Sequence, residues 1–332
     1  MRAFLVLALV ALGCGESGPS GDVPERLSAW GLFADPLAQA PAEGVEPYAP
    51  VSPLFSDYTA KHRFIRLPEG VPAGYTAEGP WDFPEGTVLV KTFAFPADRR
   101  DPSAGERLVE TRLLVLEDGE WEPYVYLWEG DDAHYEPAGA RVPVSWVHDD
   151  GAERSLTYRV PNTSQCAECH GGIGDTLPLG PRTQQMDHDG QLAALEAAGV
   201  FAEPVPTERP MALVDPFGDA PLAERARSYL HGNCGHCHRE GGAAGQSGLW
   251  LTADVTDDLA LGLCKRPVAA GHAAGGHSFD IVPGAPDESV MIYRMESTEP
   301  GVKMPELPNQ LVDEAGVALV REWIASMSPE GC

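Results

Sequence analysis

Two short runs constrain this chain more than its composition does: Cys166-Ala-Glu-Cys169-His170 and Cys234-Gly-His-Cys237-His238, 68 positions apart. Two cysteines three positions apart can each add to one vinyl group of a single haem, and the adjacent histidine then lies under the iron as its proximal ligand. The runs predict two covalently bound haem c groups, attached through Cys166, Cys169, Cys234 and Cys237, with His170 and His238 as axial ligands. Two C-x-x-C pairs can also make a four-cysteine zinc site, but zinc does not need a histidine directly after each pair. With ten histidines in 332 residues, two such adjacencies arise by chance about once in a thousand chains. A redox C-x-x-C likewise leaves the histidines unexplained.

Seven cysteines are an awkward number for an exported protein, where pairs are expected. Residues 1–13 read as a leader: Arg2 is followed by an unbroken apolar run from Ala3 to Leu12, too short for a bilayer but suited to a secretion signal. Gly13-Cys14 resembles a bacterial lipobox, which implies cleavage before Cys14 and acylation of its sulfur; plain cleavage nearby is the alternative. Cys264 and Cys332 remain, and they can pair in an oxidising compartment. One lipid, four thioethers and one disulfide use all seven. No later segment has the ~18 apolar residues a transmembrane helix needs, so contact with the membrane is expected only through the N-terminal lipid. The expected location is the periplasm or the outer membrane. A net charge of −27 excludes a nucleic-acid binder, keeps the chain soluble, and can steer a basic redox partner into encounter.

Organisation follows the local patterns. Residues 14–26 form a tether, with a short helix around 24–32 at its end. A β-rich domain over 27–160 starts Pro-rich and irregular to about 60 and then alternates over 61–160: Val88, Val90, Thr92 and Ala94 with Leu89, Lys91, Phe93 and Phe95, and Val109, Thr111, Leu113 and Val115 with Glu110 and Arg112. This predicts an all-β, sandwich-like domain whose aromatics form core. Residues 161–218 hold the first haem-binding segment, a helix at 188–198 and a linker. From 219 the pattern becomes helical: a helix capped by Asp219 with Pro221 in its first turn, another beginning near Pro286, and a last one from Asp313 with Val317, Val320, Ile324 and Met327 along one face.

Residues 219–328 resemble a class I cytochrome c domain on Pro283-Gly284-Ala285-Pro286, Met304-Pro305 and Trp323-Ile324 around the second motif. The resemblance implies Met304 as the sixth iron ligand, with Leu249, Trp250, Met291 and Trp323 as candidate walls. Nearly everything after about residue 27 resembles a family of bacterial exported diheme c-type cytochromes of uncharacterised role, on Leu54-Phe55-Ser56-Asp57-Tyr58, the run 86–93, Glu110-Thr111-Arg112-Leu113-Leu114 and both haem motifs. The fold class expected is α+β multidomain, an N-terminal β domain followed by a mostly α-helical cytochrome domain over 219–332. For the first haem the sixth ligand is open between Met186 and His188; His134, His148, His272 and His277 are further histidines. The function expected is electron transfer to a redox protein partner, between a dehydrogenase and a downstream carrier. The alternatives are a peroxidase-like diheme oxidoreductase with an open first haem, and a β module that recognises a polysaccharide or partner protein.

Overall fold

The long strands over 88–96, 106–117 and 120–129 build the centre of one large antiparallel sheet. The computed structural model describes residues 23–171, 177–209, 211–268, 270–306, 309–328 and 332; the leader and Cys14 lie outside these. Short strands β1 (Phe33–Asp35) and β2 (Ala40–Pro41) form a small hairpin. Strands β3 (Val45–Pro47), β4 (Ala60–Arg66), β5 (Val88–Pro96), β6 (Glu106–Glu117), β7 (Glu120–Glu129) and β8 (Asp132–Tyr135) pair in chain order into a six-stranded meander. Strands β9 (Ala140–Val147) and β10 (Glu153–Val160) form a separate hairpin. Turns that demand positive φ separate the long strands, as at Asp118-Gly119 between β6 and β7.

The two faces of the meander are covered differently. One packs Phe64, Val88, Val90, Leu113 and Tyr126 under the N-terminal segment carrying Leu27 and Leu32. The other face has two apolar patches. Ile65, Leu89 and Leu114 meet Trp81, Met186 and Leu192, while Phe95 and Val125 meet the β9–β10 residues Trp146 and Tyr158. Between these patches the face is charged.

Helices are few and short. They are α1 (Thr163–His170), α2 (Thr183–Met186), α3 (Gln191–Ala197), α4 (Leu222–Asn233), α5 (Val290–Glu296) and α6 (Glu314–Ser326). Asp313 caps α6 by accepting from the Gly316 amide at 3.1 Å. The cap expected of Asp219 is not made, since α4 starts after Pro221 without a side-chain cap. The segment expected as a helix around 24–32 forms a single 3-10 turn, Leu27–Trp30.

The expected fold class does not hold. The described residues are mostly β, ten strands in three sheets, and the six helices reach at most 13 residues. No large helical domain stands over 219–332; that stretch holds α4, α5 and α6 separated by turns and loops. The reason is local chemistry. Between α4 and α5 the chain turns through glycines with positive φ at 241, 248, 262, 271, 275, 276 and 284, which no helix interior accommodates. The β part is not a sandwich of two comparable sheets either, because only a two-stranded hairpin joins β9 and β10.

Helix α4 couples the helical core to the sheet side. A Cβ on Gly316 of α6 would collide with the Tyr229 ring of α4, and one on Gly232 would collide with the Ser52 carbonyl. The absence of both Cβ atoms lets the backbones approach. Asn233 then accepts from the Phe55 amide at 2.7 Å, and Ser52 Oγ donates to the Ser228 carbonyl at 2.8 Å. In the stretch expected as a linker, Val200 and Phe201 are buried against Trp81.

Cys264 and Cys332 are joined, with Cα atoms 5.2 Å apart and 68 positions of chain between them. A loop of this length removes much freedom from the unfolded chain. Cys332→Ser is expected to lower the unfolding free energy by about 2–4 kcal/mol, read as a shifted denaturant midpoint; no shift would mean that the bond leaves the unfolded chain unconstrained.

Candidate functional site

Helix α1 carries the first motif across the charged band of the sheet, and the turn after α4 carries the second. Each motif lines its own cavity. The first, of about 330 Å³, is lined by Cys166, Cys169 and His170 from α1, by the β4–β6 face, and by Pro178, Leu179 and Met186. The second, of about 480 Å³, is lined by Cys234, Cys237 and His238, by Leu230, Leu249 and Met291, and by Met304. Both volumes suit a bound organic group. The cavities adjoin, since Cys169, His236 and Glu306 line both.

The motif histidines are oriented alike. His170 Nδ1 lies 3.1 Å from the Leu177 carbonyl, and His238 Nδ1 lies 3.3 Å from the Leu249 carbonyl. A carbonyl can only accept, so each Nδ1 carries the proton and each Nε2 keeps its lone pair. That is the tautomer a metal-binding imidazole needs, with the carbonyl as the outer partner that fixes the ring.

Burial holds His170, His231 and His238 down to about 4, against 6.5 in water. Between those values the unfolded chain binds more protons than the folded one, so stability rises with pH and is lost as pH falls through 6.5 toward 4. Chain made without haem is therefore expected to melt several degrees lower at pH 5.5 than at pH 7, a comparison made above the ordinary carboxylate range. Equal midpoints would mean that the rings are solvated.

The four motif cysteines are free thiols. Burial pushes Cys234 up to about 12 and raises Cys166 as well. Cys237 and His236 beside it hold Cys169 below its ordinary value. Among the described residues no three His, Cys, Asp or Glu side chains converge as a metal site, so the four thiols do not form the tetrahedral zinc cage their spacing allows. One or two axial donors on a planar group need no such cluster.

Met304 is placed in the second cavity by its own neighbours. Its amide donates to the Arg294 carbonyl at 3.0 Å, and Arg294 Nε donates to the Val302 carbonyl at 2.8 Å. Just before it, Lys303 Nζ donates to the Pro305 carbonyl and, at 2.9 Å, to Asn309. Asp57 accepts from the Gln310 and Leu311 amides, which ties this loop to the sheet side. Of the candidate walls, Leu249 and Met291 line the cavity, whereas Trp323 is buried in the α4–α6 core and Trp250 is outside the lining.

The two candidates for the first sixth ligand part company. Met186 lines the first cavity, 1% exposed, and its sulfur accepts from Gln191 Nε2 at 3.2 Å. His188 does not line it: its Nε2 donates to the Ala49 carbonyl at 2.8 Å and its Nδ1 faces Asp189 at 3.1 Å, so neither nitrogen is spare. His134, His148, His272 and His277 line neither cavity. The sequence reading passed over His231 and His236, which line the first cavity. His231 Nδ1 accepts from the Ala253 amide at 3.1 Å, so its Nε2 keeps a proton and is a donor rather than a metal ligand. Their closeness to the second motif was the only sequence signal.

Comparison with protein-family models, curated proteins and solved structures returns no match to this chain. The site therefore has to be read from its own residues.

Proposed function

We propose that the chain is an exported c-type cytochrome with two covalently attached haem groups, which moves electrons between them and onward to a protein partner. The single observation that carries this reading is the repeated histidine geometry. Both C-x-x-C-H histidines fix Nδ1–H on a carbonyl and leave Nε2 free, in two adjoining cavities. When bound, haem supplies reversible one-electron chemistry. The chain's part is to orient and to exclude water. His170 and His238 would each hold one group, Met304 would supply a thioether that favours the reduced metal, and Leu230, Leu249 and Met291 would keep the second group dry. Held by both His238 and Met304, the second group would serve as a carrier rather than a catalyst. Cys169 and His236, which line both cavities, stand where the two groups would come closest.

Export and a lipid at Cys14 belong to the same proposal, as does a basic redox partner attracted by the net charge of −27. Recognition of a polysaccharide by the β part has less support. Tyr124, Tyr126, Trp146 and Tyr158 are buried, and Phe217 is the one large aromatic strongly exposed among the described residues. A peroxidase-like reading is favoured by one observation, the engagement of the Met186 sulfur by Gln191, which leaves the first centre without a committed sixth ligand.

A redox titration of the matured protein tests the main reading. Met304→His is expected to lower one of two midpoint potentials by on the order of 0.1 V, within the ~0.8 V that axial ligands control, and to leave the other unchanged. Unchanged potentials at both centres would remove Met304 from the ligand set. Carbon monoxide binding to the reduced wild type would favour the peroxidase-like reading of the first centre.

A further inference from the structure

Arg63, Lys91 and Arg112 stand directly opposite one another on the adjacent strands β4, β5 and β6. Cross-strand partners share a face with Cβ atoms about 5 Å apart, and like charges so placed repel. All three line the first cavity beside Cys166 and His170. Arg63 is only 9% exposed. Desolvation lowers both Arg63 and Lys91 from their ordinary values.

The row is neutralised from within the protein at one member only. Arg112 meets Glu110 in a two-bond pair, 2.6 and 2.9 Å. Among the described residues, the side chains of Arg63 and Lys91 make no hydrogen bond or ion pair. The Lys91 ammonium and the Arg112 guanidinium instead lie over one Phe93 ring, 4.7 and 4.3 Å from its centroid. Among the described residues around the rest of the cavity stand Arg159, Arg182 and Arg239, against one carboxylate, that of Glu306. In a chain of net charge −27, this concentration of cations out of water is costly unless something anionic shares the space.

We propose that the Arg63–Lys91–Arg112 row is a binding site for an anionic oxygen group, a carboxylate or an inorganic oxyanion, held in the first cavity beside Cys166 and His170. Two sources share this chemistry. The carboxylates of a haem attached at Cys166 and Cys169 are one, and this deepens the function proposed above. A free small oxyanion is the other.

The sign of one substitution tests the site. In a bare row, Lys91→Met removes a repelling, poorly solvated charge and raises the thermal midpoint. In a row that holds an anion, it leaves that anion short of a partner, and the midpoint falls by about 3–6 °C. We expect the fall, in the matured full-length protein, with Lys91→Arg keeping the wild-type midpoint. The measurement is repeated in a Cys166→Ala/Cys169→Ala background, in chloride buffer with and without inorganic phosphate. A fall that disappears in that background assigns the oxygens to the attached haem. A fall that persists there, together with a wild-type midpoint that rises with phosphate, assigns a free oxyanion. A Lys91→Met midpoint equal to or above wild type in both buffers overturns the proposal, as does an equal loss in Lys91→Arg, which reports packing. Covalent haem is counted in every sample. A count of zero sinks the cytochrome reading while the phosphate comparison still decides the anion site.

Discussion

Replacing Cys234 and Cys237 together with alanine is expected to cut covalently bound haem from two per chain to one. Replacing all four motif cysteines is expected to abolish it. The attachments are separate: each pair of cysteines serves its own histidine, and the cavities share only Cys169, His236 and Glu306 where they adjoin, so losing one pair of thioethers leaves the other attachment intact. The protein has to be made in a host that matures c-type cytochromes and counted by pyridine haemochrome after acid-acetone extraction, which removes unattached haem. Met304 and the second cavity stay in place in the double variant, so the lost haem is the one whose potential responds to Met304→His. A well-matured wild type that carries none, with zinc in its place, would falsify the cytochrome reading.

The second large effect is on stability. Glu110→Gln is expected to lower the unfolding free energy by about 3–5 kcal/mol, the scale for removing one partner of a buried charged pair. Glu110 is fully buried; it holds Arg112 through two hydrogen bonds and accepts from Tyr158 Oη at 2.6 Å. The amide keeps the shape but not the charge, and Arg112 is then left in a row with Lys91 and Arg63. The exposed pair of Arg321 with Asp287 is the internal control. There Arg321→Ala should change the denaturant midpoint by less than about 1 kcal/mol equivalent, because solvent screens exposed pairs. Equal effects at the two sites would mean that Glu110 is better solvated than its burial implies.

Glu110 also marks the limit of what the sequence reveals. Its alternation with Thr111 is legible and the strand keeps that register from Glu110 onward, while a bulge opposite Phe93 and Ala94 breaks it at Val109. A charged alternate position reads as a solvent face, yet here the charged face is covered by α1 and the first cavity. The helical region departs from the sequence expectation for a related reason. Periodic apolar stripes locate α4, α5 and α6 well, and they come together in one core. What lies between them is set by glycines whose positive φ turns the chain away from any helix, so three correct helices do not add up to a helical domain.

The sequence by itself determined the two C-x-x-C-H motifs, the long strands of the sheet and the residues left to make a disulfide, because each rests on chemistry within a few positions or on counting. The tertiary structure alone decided that the two motifs open into adjoining cavities, that Met304 lines the second cavity while His188 is outside the first, and that Arg63, Lys91 and Arg112 form one row. Those three cations are far apart along the chain, and no local propensity relates them. Only the hydrogen-bond register between β4, β5 and β6 sets them side by side, and a slip of one residue would turn each to the opposite face.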